Sequence, residues 1–268
     1  MDIKFYAPLW GNTLPFESFC ERVKTAGYDG VEMELPFEEE EKENILTQLS
    51  HYGLELIGQY YQSFEPEIEA NAESYERYLN HLAEADPVLI NCQTGKDYFT
   101  LEENKKLFLI AERIKEGTGV PITHETHRGK CLYSVPVAKQ YLESLPDIRL
   151  CLDISHWCNV HESLLEDQEP GVRLALERTD HIHSRVGHPE GPQVNDPRAP
   201  EWGKALKAHL NWWDQVVGYH RETGTTLRVT TEFGPFPYMP TLPYTTMPLA
   251  NQWDINVSMM ELLKERYF

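Results

Sequence analysis

Apolar residues recur along this chain in two alternating patterns: short continuous runs, and longer stretches in which they return every three or four positions. The first run covers Ile3 to Leu9 and is closed by Trp10-Gly11-Asn12. From Leu14 to Ala26, residues Phe16, Phe19, Val23 and Ala26 fall on one helix face, and Gly27 supplies the stop. The same unit then repeats. Gly30 to Leu35 precedes a helix over 38–51 ended by Gly53, and Leu54 to Tyr61 precedes one carrying Tyr75, Tyr78, Leu79 and Leu82. Val88 to Cys92 precedes a helix over 101–115, and Pro121 to Arg128 one over 135–143. Arg149 to Asp153 is followed by a helix over 164–177, Thr179 to His183 by one over 202–222, and Leu227 to Glu232 by one over 249–266. Eight strand-then-helix units predict a parallel sheet with helical crossovers. Within a chain of 268 residues they suit a single α/β domain spanning residues 1–268, a closed (β/α)8 TIM barrel.

Four of the runs end on a charged or imidazole side chain, a costly pattern if each stays buried alone. In the extended stretch after Pro121, alternate residues share a face, so Thr123, Glu125 and His127 point together while Ile122, His124 and Thr126 point away. Glu125, Asp153 and His183 follow one another at about one strand–helix unit each. The longer interval to Glu232 is taken up by the Pro- and Gly-rich insertion Gly187 to Pro200. All four therefore reach one height at the C-terminal ends of strands five to eight, where barrels of this type carry their chemistry. Three carboxylates and one imidazole form a hard, oxygen-rich set suited to one divalent ion, Mn, Mg, Co or Zn. Taken singly, each residue reads equally well as a loop cap. His181 shares the inward face with His183 and is the alternative ligand; His124, of opposite parity, is expected to pack.

Around this set, His127 and Arg128 either touch substrate or lie exposed on their loop, and one of Glu32 and Glu34 is expected to hydrogen-bond substrate or His156. Glu38 to Glu41 reads as a solvated helix start. Tyr6, Trp10, Tyr60, Tyr61, Phe233, Phe236 and Tyr238 stand at strand ends or just beyond, as an apolar wall beside a sugar or as rim packing. The long irregular stretches Gly187 to Pro200 and Gly234 to Pro248 have the length of lids or subunit contacts. The formal charge of −19 argues against a phosphate-backbone partner and favours a small polar one. No signal-like start and no run approaching ~18 apolar residues predict a cytoplasmic protein with no membrane partner, with a homo-oligomer left open. Five cysteines, an odd number without a CxxC pair, predict reduced thiols.

Gly30-Val-Glu-Met-Glu34, Glu125 with His127, Leu152-Asp-Ile-Ser-His156 and His181-Ile-His183 together resemble the xylose isomerase-like barrel superfamily, in its sugar isomerase and epimerase branch. The similarity runs over essentially the whole chain. The resemblance implies a metal held by Glu125, Asp153, His183 and Glu232, with Glu125 and Glu232 also serving as the catalytic acid and base. It implies that His156 contacts substrate oxygens, with Arg185 the basic residue nearest the position expected beyond strand seven; Glu32 and His127 complete the expected substrate contacts.

The chemistry follows from the residues themselves. A divalent ion on a carbonyl and its neighbouring hydroxyl acidifies the C–H between them and stabilises the enediolate. A carboxylate on one face removes the proton, and a second on the other face can return it inverted. One face gives aldose–ketose isomerisation, two give epimerisation of a ketose or related polyol. A dehydratase or lyase of the inosose dehydratase kind uses the same abstraction. An endonuclease IV-like phosphodiesterase would use histidines on strands three and four, where Gln59-Tyr60-Tyr61 and Asn91-Cys92-Gln93 stand. A non-catalytic sugar-binding barrel is the remaining alternative.

Overall fold

The structure is a computed structural model and describes residues 2–268. Its strands are β1 (Ile3–Pro8), β2 (Gly30–Met33), β3 (Glu55–Tyr60), β4 (Leu89–Cys92), β5 (Ile122–Glu125), β6 (Arg149–Leu152), β7 (Thr179–His183) and β8 (Leu227–Thr230). Each pairs in parallel with the next, and β8 pairs with β1, closing the eight-stranded barrel in chain order. The helices are α1 (Phe16–Ala26), α2 (Glu39–Tyr52), α3 (Ile68–Ala83), α4 (Leu101–Thr118), α5 (Val135–Ser144), α6 (Ile154–Val160), α7 (Glu169–Glu177), α8 (Gly203–Thr223) and α9 (Gln252–Tyr267). The (β/α)8 architecture expected from the alternation is the one observed.

Local chemistry sets the element ends. Gly27 stops α1 at φ 89°, a left-handed conformation that costs glycine little. Thr100 and Glu103 start α4 with a reciprocal capping box. Gly30 lets β2 approach its neighbours, because a Cβ there would strike the Glu55 carbonyl and the Tyr6 ring. The main core is the ring between strands and helices, built from residues such as Phe5, Val31, Leu79, Phe108, Leu150, Trp213 and Met259. A smaller apolar cluster, Tyr6, Ile57 and Leu89, occupies the bore between β1, β3 and β4. All five cysteines are free, buried thiols. Among the described residues no helix is long and apolar enough to cross a membrane.

Two expectations about elements need correction. The helix expected over 164–177 begins only at Glu169, and a separate short helix, α6, follows β6 directly. Asp153 explains α6: its Oδ1 accepts from the Ser155 N–H at 3.1 Å, capping a helix at the place where the apolar run ends. The last helix begins at Gln252 and not near 249, with Asn251 accepting from the Asp254 N–H.

Candidate metal centre and its cavity

Glu125 ends β5 and His183 ends β7, while Asp153 and Glu232 lie just past β6 and β8. One ligand atom from each of these four buried residues lies within 4.8 Å of all the others. His183 Nδ1 stands 2.9 Å from Glu232 Oε2 and 3.6 Å from Glu125 Oε1, yet none of the three atoms is in a hydrogen-bonding arrangement. Carboxylates and an imidazole nitrogen brought together in this way, buried and offset only by Arg185 Nη2 at 3.2 Å from Glu232 Oε2 and beside Asp153, are what a cation would satisfy, and the set of one imidazole and three carboxylates fits a divalent ion.

The orientation of His183 is fixed from beneath. Its Nε2–H donates to both oxygens of Glu32, at 3.1 and 3.0 Å, which leaves Nδ1 to face the cluster. The Asn91 amide donates to Glu32 Oε1 at 2.9 Å and lies 3.5 Å from Glu125 Oε2. Since β2, β4 and β7 are not mutual neighbours, these contacts cross the bore. A carboxylate behind a ligating imidazole is the usual way of holding its tautomer and raising its basicity. Asp153 is divided similarly. Oδ1 is taken by the backbone and hydroxyl of Ser155, and Oδ2 by Arg185.

Electrostatics separate the two candidate acid/base residues. Burial would raise Glu125, but His183, then His127 and Arg185, hold it well below the usual carboxylate range. For Glu232, burial outweighs His183 and Arg185, and Glu125 adds to the upward shift. Without a metal, His183 is pushed down by burial but raised more strongly by Cys151, Glu232, Glu32 and Glu125, ending well above its ordinary value. Burial also works against Glu32, whose two histidine neighbours, His183 and His181, nonetheless hold it at about 2.

A cavity of about 500 Å³ opens above the cluster, and Glu232, Arg185 and His127 line it. Arg185 is fully buried; its Nη2 serves Asp153, Glu232 at 3.2 Å and His156 at 3.1 Å, while Nε and Nη1 have no partner. His127 donates from Nδ1 to the Arg128 carbonyl at 2.6 Å and packs against His156, ring planes inclined at 48°, at 3.9 Å between ring centres. The far wall carries Glu34, Gln59, Tyr61 and Gln93, and Trp10 and Tyr238 pack edge to face at 5.1 Å along the rim.

Measured against the expectations, the four ligand candidates come together, and His127 and Arg185 reach the cavity. Glu32 does not: it is 1% exposed beneath His183, so its expected substrate contact is corrected to a hydrogen bond with a ligand candidate, and Glu34 is the strand-two carboxylate on the wall. His156 is fully buried beside His127 and Arg185, and its Nδ1 has no hydrogen-bond partner. His181 sits one layer deeper, 2.9 Å from Thr230 Oγ1, and groups with Cys151 and not with the three carboxylates. His124 points outward onto Phe108 and Thr94. Of the aromatics, Trp10, Tyr61 and Tyr238 face the cavity, while Tyr6, Tyr60 and Phe233 are buried. Asn91 escaped the sequence reading; its signal was a polar residue inside an otherwise apolar four-residue strand.

A family model described as xylose isomerase-like TIM barrel matches residues 20–212. No curated protein sequence matches the chain at a significant level. Among solved structures, a 3-keto-D-glucoside 4-epimerase from E. coli aligns with a TM-score of 0.63 at 15% identity, covering 98% of this chain and 100% of the other. A sugar phosphate isomerase/epimerase from Parabacteroides distasonis aligns at 0.62 with 13% identity, covering 98% and 95%. A probable 3-DHS dehydratase from Bacillus anthracis aligns at 0.60 with 16% identity, covering 98% and 99%. Identities this low carry the shared fold and no activity.

Proposed function

Because this chain belongs to the xylose isomerase-like TIM-barrel family, we propose that it is a divalent-metal-dependent isomerase or epimerase of a ketose or related polyol. The observation that supports the reading is the gathering of Glu125, Asp153, His183 and Glu232 within 4.8 Å at the cavity, with Glu125 and Glu232 on either side of His183 Nδ1 at 3.6 and 2.9 Å. Two carboxylates beside one carbon at the metal centre are suited to taking a proton and giving one back.

Glu125, Asp153, His183 and Glu232 would hold the ion. When bound, it would supply positive charge against a carbonyl and its neighbouring hydroxyl, acidifying the C–H between them. Glu232, the more basic carboxylate, takes that proton. If the reaction is an epimerisation, the opposite face is reprotonated from the Glu125 side, the proton coming from solvent because Glu125 itself is held ionised. Arg185 presents its unpartnered Nε and Nη1 donors from the cavity wall toward substrate oxygens. His156, buried against His127 and Arg185, is held neutral by burial and by the positive charge of its neighbours, and its Nδ1 is free of protein partners.

Turnover in heavy water tests the proposal. Proton abstraction places solvent deuterium on the reacting carbon, and Glu232→Gln, compared at saturating Mn²⁺ with occupancy measured, should lose a factor of ~10²–10⁴. Product free of solvent deuterium would favour a hydride shift. A metal-loaded Glu232→Gln variant within tenfold of the parent would remove Glu232 from the proton step. Epimer, aldose and dehydrated product are separable by mass or chromatography, so the same panel of ketoses and inososes distinguishes a dehydratase.

A further inference from the structure

Between Glu232 and Asp254 the chain has no charged residue for 21 positions, in a sequence of which 25% is charged and whose formal charge is −19. No other stretch free of Asp, Glu, Lys and Arg is as long. This loop joins β8 to α9. Within fourteen residues it turns five large apolar side chains to water, Phe236, Leu242, Tyr244, Met247 and Leu249, the least exposed of them at 45%. Exposed singly, such residues need no explanation; grouped on one neutral loop they mark a surface that meets something.

The loop is built to stand out from the barrel. At its base Gln193 and Gly234 exchange two hydrogen bonds, at 2.8 and 3.1 Å, and Gln252 donates to the Trp10 carbonyl at 2.9 Å. Its outer part is a short hairpin in which the Leu242 N–H donates to the Met247 carbonyl at 2.8 Å and the Leu249 N–H to the Pro240 carbonyl at 2.9 Å. Pro235, Pro237, Pro240, Pro243 and Pro248 stiffen it further. At the tip Tyr244 and Thr246 hold φ at 66° and 55°, a left-handed backbone that is costly for a bulky or β-branched residue. The Tyr244 ring stands fully exposed, so no contact within the chain offsets that cost. Beside the hairpin lies a hollow of about 540 Å³, lined by Phe236, Met239, Thr241, Thr246, Pro248 and Ala250 and equally without charge.

Charge selects the occupant. A basic partner would be drawn to acidic faces such as the Glu38 to Glu41 run, whereas two copies of charge −19 repel wherever those faces meet and can approach where neither presents a charge. Knob and hollow belong to one loop, the condition for a two-fold contact in which the same surface serves both partners. The five side chains offer roughly 100 Å² each, so a two-fold pair buries roughly 1,000 Å², the lower bound for a specific interface. We propose that the loop over 234–251 is a dimerisation arm whose occupant is the same arm of a second copy of this chain, each Tyr244 seated in the hollow of the other. The inference stands apart from the polyol reading, since it uses no residue of the metal centre.

Sedimentation of the full chain tests it, from about 1 to about 100 μM, in about 20 and about 300 mM NaCl. The expected species has twice the 31.1 kDa chain mass. Salt should tighten the association several-fold, because it screens the repulsion between two acidic chains and leaves an apolar contact unchanged. Tyr244→Asp and Met247→Asp should each weaken dimerisation about 30-fold or more, the effect of losing a central apolar anchor, with Mn²⁺ binding retained as the check that the barrel is intact. Leu109→Asp, at an exposed apolar position on α4, should leave the dimer as it is. A parent chain still monomeric at the highest concentration, a dimer that loosens in salt or survives both arm substitutions, or dissociation by Leu109→Asp would overturn the arm. So would a monomer that binds phosphatidylcholine vesicles through Tyr244 and Met247, which would assign this face to lipid.

Discussion

Replacing Glu32 by Gln should weaken metal binding although residue 32 touches no metal. The Nε2–H of His183 lies 3.0 and 3.1 Å from the two Glu32 oxygens, a charge-assisted bond worth roughly 1.5–3 kcal/mol against about 0.5–1.5 for a neutral one. The amide retains an acceptor but turns one of the two oxygens into a donor facing Nε2–H, so about 1–2 kcal/mol of orienting energy is lost. That corresponds to a dissociation constant for Mn²⁺ raised about tenfold, within the ~10–100-fold typical of residues behind a metal ligand. Competition against a fluorescent chelator gives the constant, and Mn²⁺ paramagnetic resonance checks that one ion still binds. Glu32→Asp keeps the charge but shortens the reach, and should fall between parent and amide. A folded Glu32→Gln protein with the parental Mn²⁺ constant would refute the argument that His183 is positioned from β2.

Two further outcomes are expected. Carboxylates raise His183 well above its ordinary value in the metal-free chain, so a proton and a metal compete for Nδ1 at neutral pH. Mn²⁺ binding should release close to one proton and weaken about tenfold per unit fall in pH; calorimetry in buffers of different ionisation enthalpy would contradict this by showing no proton release. His209 donates from Nδ1 to Ala205 and accepts the Gly187 N–H on Nε2 at 3.2 Å, so protonation would break the second bond; burial holds it at about 4. A histidine lowered from ~6.5 on folding contributes stability that is complete above that value and lost as pH falls toward 4, up to roughly 3 kcal/mol. His209→Gln should flatten the melting temperature across this window, and an unchanged pH slope would rule His209 out as the group responsible.

The barrel was legible because each strand is a short apolar run and each helix shows its own period, and those two patterns cannot be exchanged. The four-residue cluster was legible for a related reason: residues at equal heights on successive barrel strands must converge. The depth of a side chain was harder to read. Parity placed Glu32 and Glu34 on one face but could not say that the bore would take Glu32 under His183 and leave Glu34 on the wall, since that depends on shear between strands that are not neighbours. The burial of His156 was equally hard to read, because Asp153 caps α6 and the first turn of that helix carries His156 inward.

The bridge across the bore bears on how such a protein can diversify. Glu32 accepts from both Asn91 and His183, so three strands share one buried carboxylate, and altering it leaves both donors unpaired in the interior. Glu34, Gln59, Tyr61 and Gln93 sit on the cavity wall, where the Tyr61–Glu34 hydrogen bond is open to solvent and neither partner is stranded by loss of the other. A lineage could exchange wall residues one at a time and move from substrate to substrate, while the triad beneath the metal centre could change only by coordinated steps. The barrel thus separates a part open to gradual adaptation from a part that history can hardly revise.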